Sequence, residues 1–83
     1  MFHFYILFSE IKNRYYIGHT GNSMDERLRK HNADHKGFTG KTGDWKVMYT
    51  EIYTTKEEAY KRERELKKWK SRIKIEALIK NNS

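Results

Sequence analysis

The first eight residues carry apolar side chains on both faces of an extended segment. Met1–Phe8 is rich in aromatic residues and is typical of a strand. Because side chains alternate along a strand, one face holds Phe2, Phe4, Ile6 and Phe8, and the other holds His3, Tyr5 and Leu7. Since both faces are apolar, the pattern predicts a central strand rather than an edge strand.

A second strand follows after a short polar stretch. Residues 14 to about 19 read as a strand, and only Ser9–Asn13 lies between the two, which predicts an antiparallel hairpin. With a loop of Ser9–Lys12, Tyr5 lies directly opposite Tyr16, whereas a shift of two residues makes them diagonal neighbours. Both registers place the two phenols side by side.

The next segment predicts a short helix that ends near Asn32. Either Asn22 or Ser23 can cap its amino end, and the two acids that follow suit the positive end of the helix dipole. At about 100° per residue, one face is shared by Met24, Leu28 and His31. Arg27 lies on the flank of that face.

The middle of the chain changes from loop to strand. The glycines of Lys36–Asp44 predict a flexible loop, which also carries Lys41. Trp45–Tyr53 predicts a third strand, one face of which holds Trp45, Val47, Tyr49 and Tyr53.

A long helix follows, with a carboxylate in its apolar stripe. Thr55 and Glu58 form a capping-box pattern that opens a helix over Lys56–Trp69. The inward face of this helix holds Ala59, Glu63 and Leu66. A carboxylate in that position needs a partner, and the spacing indicates no base on the same face, so Glu63 is a candidate metal ligand.

A last helix from Ser71 to Lys80 places apolar residues inward: Ile75, Leu78 and Ile79. The element order ββαβαα predicts an α+β fold, with a three-stranded antiparallel sheet flanked by helices. We expect residues 1–83 to form a single domain.

The charge of the chain indicates a polyanionic partner. The net charge is +7, and most of the excess lies in Lys56–Lys74. A solvated helix with i,i+4 pairs accounts for Glu57 with Lys61, but not for the acid-free stretch after Glu65. The candidate nucleic-acid contacts are Lys36, Lys41, Lys67, Lys68, Lys70 and Arg72. Trp69 can stack on a base or pack in the core, and packing is favoured.

Several classes of protein are excluded or disfavoured. Without cysteine there is neither a disulfide framework nor a thiolate zinc site. The longest apolar run, Phe4–Phe8, is too short to span a membrane, and no signal-peptide pattern precedes it. We expect a cytoplasmic protein with no membrane partner and no small-molecule cofactor.

Two apparent motifs are weak. Gly40-Lys41-Thr42 imitates the end of a phosphate-binding loop, but His35 stands where that loop needs a glycine. His31 and His35 are spaced as two zinc ligands on a helix, yet no glutamate follows His31 as the protease motif requires.

The remaining polar candidates each have an ordinary structural interpretation. Tyr5 and Tyr16 are tyrosines in half-buried strands, which usually pack with the hydroxyl toward solvent. Arg27 can be an exposed helix charge, and Glu63 can pair with Lys67 one turn away. The combination of these residues, rather than any one of them, indicates a functional site.

The combination resembles the GIY-YIG nuclease superfamily, in particular its small stand-alone bacterial members. The first motif is Phe4-Tyr5-Ile6, with Phe4 at the glycine position, and the second is Tyr16-Ile17-Gly18. The arginine and histidine helix of the family is matched by Arg27–Asn32, its glutamate helix by Glu58–Lys67, and its lysine-rich end by Trp69–Ile79. The resemblance covers residues 3 to 79 and includes no attached DNA-binding domain.

The resemblance implies a catalytic set. Tyr5 would be the general base or the residue that positions the water, and Tyr16 would orient the water or the phosphate. Arg27 would hold the scissile phosphate, and His31 would relay the proton or polarise Tyr5. Glu63 would bind one Mg²⁺ or Mn²⁺ ion.

The leading hypothesis is therefore a metal-dependent DNA endonuclease of low sequence specificity, acting on duplex or branched DNA in repair or recombination. The alternative is a non-catalytic nucleic-acid-binding module with the same fold. A third hypothesis is a basic domain that binds acidic proteins. Retention of all five polar residues favours the nuclease.

Overall fold

The computed structural model describes residues 1–33 and 43–82. Its elements are β1 (Phe2–Ser9), β2 (Arg14–Thr20), α1 (Met24–Asn32), β3 (Lys46–Tyr53), α2 (Lys56–Trp69) and α3 (Arg72–Asn81). The predicted α+β class and the order ββαβαα are confirmed. The antiparallel sheet has the strand order β2-β1-β3, so the apolar first strand is central, as predicted.

Part of the sequence lies outside the described residues. This applies to most of the predicted loop, and with it to Lys36 and Lys41 as candidate DNA contacts. It also applies to the Gly40-Lys41-Thr42 triplet and to His35 as a metal ligand.

The hairpin adopts the second of the two registers considered from the sequence. Tyr5 pairs with Gly18, and Leu7 pairs with Tyr16, so the two tyrosines are diagonal neighbours. The loop of Ser9–Lys12 is wrong because Ser9 stays in the strand, opposite Arg14. Its buried hydroxyl donates to Asp44 Oδ1 at 2.6 Å, which holds the strand in place one residue longer.

An irregularity in β3 changes which residues share a face. Ile6 pairs with Tyr49, but the next residue, Leu7, pairs with Val47, so Met48 is an extra residue in the ladder. Such a bulge reverses the alternation beyond it. The prediction that Trp45, Val47, Tyr49 and Tyr53 share one face is therefore wrong, and the strand begins at Lys46.

The sheet has a separate apolar cluster on each face. Against one face, α2 and α3 pack on a cluster of Phe4, Ile6, Ile17, Leu66 and Ile75. Against the other, α1 contributes Met24 and Leu28 to a cluster with buried Tyr5, Leu7 and Trp45. The first motif tyrosine thus belongs to the face that α1 covers.

Side-chain caps fix where the helices begin. Ser23, Thr55 and Ser71 each accept a hydrogen bond from the backbone three residues later, which satisfies an otherwise free N–H group. Lys70 adopts the left-handed conformation, with φ of 48°, and so ends α2 directly before the cap of α3. Among the described residues, no helix is long and apolar enough to cross a membrane.

Candidate active site

The hydroxyl of Tyr5 is the centre of a buried polar cluster. Arg27 Nε donates to it at 3.0 Å, and His31 Nε2 lies 2.9 Å away. Because the arginine can only donate, the tyrosine proton is free to go to Nε2 in the tautomer that carries the imidazole proton on Nδ1. The side chains of Tyr5 and His31 are almost wholly buried and Arg27 is half-buried beside them, so α1 and β1 hold the three groups together.

The surroundings of Tyr5 keep it protonated. Burial raises the pKa of Tyr5 above its ordinary value of about 10, because the charged phenolate would lose hydration. The hydrogen bond and charge of Arg27 act in the opposite direction but do not outweigh burial. At neutral pH, Tyr5 is therefore a neutral phenol that donates a hydrogen bond.

Tyr16 is the more accessible of the two motif tyrosines. Its ring stacks beside that of Tyr5, with 6.3 Å between the ring centroids and 24° between the planes. The ring centroid of His31 lies 4.7 Å away on another side. Tyr16 is only half-buried, whereas Tyr5 has no exposed surface, so Tyr16 is the phenol that solvent reaches.

Arg27 connects the two phenols. The hydrogen bond to Tyr5 is the main cause that raises the pKa of Arg27, and an interaction with Tyr16 raises it further. The guanidinium therefore stays charged at any pH at which the fold is stable. The half-buried position on the flank of α1 leaves part of the group exposed, as the sequence predicted.

Gly18 leaves the room that Tyr5 occupies. A methyl group on Gly18 would lie 2.6 Å from the Tyr5 hydroxyl oxygen and 2.8 Å from its Cζ. It would also lie 3.1 Å from Tyr16 Cε1. The glycine of the second motif is therefore required by packing of the first motif's phenol, not by backbone strain.

Glu63 is held by two basic groups. Its Oε1 lies 2.7 Å from His19 Nδ1, and Lys67 Nζ donates to its Oε2 at 3.0 Å. The prediction that no base shares the face of Glu63 is wrong. Lys67 is one turn further along α2, and His19 comes from β2, where sequence spacing alone gave no sign of the contact.

The five predicted site residues occupy two connected groups. Tyr5, Tyr16, Arg27 and His31 contact one another on the α1 face of the sheet. Glu63 comes from α2 on the other face and meets His19, the residue after Gly18, at the edge strand. The charge of Glu63 contributes to raising the pKa of Tyr5, so the two groups interact electrostatically.

His19 is a functional candidate that the sequence reasoning missed. Alternation places it on the sheet face covered by α2, opposite Phe4 in the ladder. A half-buried histidine on that face is an available signal, because a polar ring under a helix needs a partner. The partner is the carboxylate of Glu63.

The predicted DNA-contact residues differ in how far their side chains are already engaged by other residues of the protein. Arg72 donates to the Asn13 backbone oxygen at 3.0 Å and to its Oδ1 at 2.9 Å, and its guanidinium lies over the Tyr15 ring. It therefore holds the hairpin loop against α3. Lys67 and Lys70 line a cleft of about 510 Å³ between β2 and the helices. Lys68 lines a groove on the outer side of α2.

The fold and its motifs are those of a nuclease-type domain, and such a domain implies a nucleic-acid substrate. The family model of the GIY-YIG catalytic domain matches residues 1–77, and the chain therefore belongs to the GIY-YIG family. The resemblance seen in the motifs is thereby confirmed. No curated protein and no solved structure matches the chain.

Proposed function

We propose that this protein is a metal-dependent DNA endonuclease of low sequence specificity. The observation that supports the proposal most strongly is the Tyr5–Arg27–His31 cluster, in which a permanent cation and an imidazole meet at one phenol. Such an arrangement of charged and polar groups, partly open through Tyr16, is suited to a phosphodiester in a hydrolytic transition state.

Burial divides the roles of the two tyrosines. Tyr5 is sealed from solvent and has a raised pKa, so it positions Arg27 and His31 rather than taking a proton directly from bulk water. Tyr16 is half-exposed and orients the attacking water or the phosphate. The Tyr5–His31 hydrogen bond helps to fix the phenol that orients Arg27.

Arg27 is assigned to the scissile phosphate. A guanidinium presents several N–H groups in a fixed plane and meets two phosphate oxygens in a fork. Its Nε is already oriented by Tyr5, so the exposed part of the group is held in one direction before substrate binds. This is preorganisation of the kind that contributes to transition-state stabilisation.

Glu63 would hold one Mg²⁺ or Mn²⁺ ion. Each carboxylate oxygen has lone pairs beyond those that His19 and Lys67 use, and Lys67 is half-exposed and displaceable. One carboxylate is enough for the proposal, because Mg²⁺ keeps several waters and often uses only one or two carboxylates. When bound, the ion supplies positive charge to the leaving oxygen.

Charge rather than base recognition would select the substrate. The net charge of +7 and the cleft with Lys67 and Lys70 suit a phosphate backbone of any sequence. We therefore propose duplex or branched DNA as substrate and repair or recombination as the setting, with a cytoplasmic location.

The experiment is cleavage of supercoiled plasmid and of branched DNA with Mg²⁺, with Mn²⁺ or with EDTA. R27A should lower the cleavage rate by about 100-fold or more, because it removes the phosphate-binding group. R29A, on the exposed side of the same helix, is the matched control and should cut nearly as fast as native protein. Equal rates for native protein and R27A would refute the assignment.

One observation supports the alternative of a non-catalytic DNA-binding module. Both oxygens of Glu63 are already engaged, so the carboxylate is neutralised by the protein itself. Under this alternative, native protein binds DNA with a steep dependence on salt and never cuts it.

A further inference from the structure

The outer side of α2 carries an exposed aromatic ring among basic residues. Tyr60, Arg64 and Lys68 follow one another at intervals of four residues and so form one stripe along the helix. Tyr60 is 46% exposed, so nearly half of its surface is open to a ligand. The guanidinium of Arg64 lies 5.7 Å from the centre of the Tyr60 ring.

The same ring connects this stripe to the candidate active site. His19 lies 5.4 Å from Tyr60 between ring centroids, and its Nδ1 contacts the Glu63 carboxylate at 2.7 Å. Tyr60 is therefore separated from the candidate metal ligand by one side chain. Whatever binds on the ring is next to the proposed metal ligand.

A groove of about 510 Å³ lies beside the ring. Its lining residues are Tyr60, Lys61, Arg64, Glu65, Lys68 and Trp69. The one acid, Glu65, accepts a hydrogen bond from Arg62 at 2.9 Å. Across the described ranges, Lys61, Arg64 and Lys68 form no ion pairs, so three positive charges border the groove without internal neutralisation.

We propose that Tyr60 and this groove bind an unpaired nucleotide of DNA that flanks the scissile phosphate. The base stacks on the Tyr60 ring, and the adjoining phosphates lie against Lys61, Arg64 and Lys68. The inference rests on the proposed nuclease function and narrows its substrate class to DNA with a single-stranded segment.

The combination of ring and charge is what selects this ligand. In a paired duplex the faces of the bases are covered by their neighbours, so an exposed ring has nothing to stack on. In an unpaired strand every base offers a face, and aromatic residues beside basic ones bind such strands with little sequence preference. A paired duplex needs the three cations but not the tyrosine.

The test is binding of two DNA probes in EDTA: a paired duplex, and the same duplex with a single-stranded flap. The flap carries 2-aminopurine at its first unpaired position. Native protein should bind the flap probe more tightly and quench its fluorescence. Y60L should weaken flap binding about fivefold to about 100-fold, because stacking is lost, and should leave duplex binding unchanged. Y60F, which keeps the ring, should behave like native protein.

Two results with Y60L would overturn the proposal. If Y60L binds both probes as tightly as native protein, the ring contributes nothing to binding. If Y60L weakens binding of both probes equally, the substitution has a general effect on packing. K61A provides the contrast, because it should weaken both probes alike and lower the salt slope by about one. EDTA prevents metal-dependent cleavage, so the binding assay does not depend on nuclease activity. If the protein prefers the flap probe but never cuts DNA in Mg²⁺ or Mn²⁺, the nuclease proposal is refuted and the Tyr60 site is not. Cleavage without the preference refutes this site alone.

Discussion

Gly18 lies directly against the hydroxyl group of Tyr5 across the hairpin. The two are paired in the ladder, and a side chain on Gly18 would overlap the phenolic oxygen. Position 18 therefore controls whether Tyr5 can reach Arg27 and His31. The two motifs are therefore coupled by packing, because the glycine of the second motif leaves room for the tyrosine of the first.

Replacement of Gly18 by alanine should disrupt this arrangement. We expect G18A to lower the free energy of unfolding by about 1–3 kcal/mol, because the ring of Tyr5 must move out of a packed position. Urea denaturation followed by circular dichroism measures this loss. G21A is the control, since its methyl group would meet only the edge of Phe2 at 3.1 Å. Native stability in G18A would show that the Tyr5 position is not fixed by packing.

Removal of the Tyr5 hydroxyl should leave two polar groups without their central partner. Y5F keeps the ring, so its cost of about 1–3 kcal/mol in unfolding free energy comes from the lost hydrogen bonds of Arg27 and His31. A double-mutant cycle with R27A should give a coupling of about 0.5–3 kcal/mol. Additive effects of the two substitutions would mean that the Tyr5–Arg27 bond contributes nothing to stability.

The two partners of Glu63 should affect metal binding in opposite directions. H19A should weaken Mn²⁺ binding about 10-fold to about 100-fold, because His19 orients the carboxylate. K67A should strengthen it, because the competing ammonium group is removed from Oε2. Isothermal titration calorimetry without DNA measures both. Unchanged affinity in both variants would place the metal elsewhere.

A second carboxylate, Glu51, should matter for folding. It accepts hydrogen bonds from Tyr49 and Tyr53, each at 2.5 Å, and from Arg62 Nε at 3.0 Å. E51A should cost about 3 kcal/mol of unfolding free energy, because Arg62 then loses one of its two carboxylate partners and the hydroxyl groups of Tyr49 and Tyr53 lose their acceptor. E10A, which breaks the exposed pair with Lys46, should cost about 1 kcal/mol or less. Equal costs for E51A and E10A would contradict a buried network.

The pH dependence of stability follows from the same network. Burial and the Glu51 carboxylate raise the pKa of Tyr53 to about 12, above the value of about 10 in the unfolded chain. The folded state thus keeps the proton when the unfolded state has lost it. The contribution of Tyr53 to the unfolding free energy should be constant at neutral pH and should fall as pH rises from about 10 to about 12. In Y53F this fall should be smaller, and an unchanged slope would contradict the assignment.

The local elements were predictable because their signals are local. Strand alternation in Met1–Phe8, the capping box of Thr55 and the apolar stripe of α2 each depend on residues within a few turns or rungs. The bulge at Met48 was not predictable in this way. It depends on how β3 pairs with β1, over a separation of some forty residues in the chain.

In the candidate site too, local contacts were predictable from the sequence and long-range contacts were not. The tyrosine pair and the Arg27–His31 spacing are visible in short segments, and the structure brings these residues together. The contact of His19 with Glu63 joins residues 44 positions apart, and it depends on where α2 lies on the sheet. The spacing of polar residues in one helix carries no information about that placement.

The most direct test of the nuclease proposal is the single-turnover cleavage rate of E63Q in Mn²⁺, compared with native protein and with E57Q. Glu57 is an exposed acid at the start of the same helix, so E57Q controls for the loss of one negative charge. We expect E63Q to bind DNA at least as tightly as native protein. Its cleavage rate should be lower by about 100-fold or more, whereas the cleavage rate of E57Q should be unchanged. Native cleavage rates in E63Q would contradict the proposed function of Glu63 and, with it, the metal-dependent mechanism.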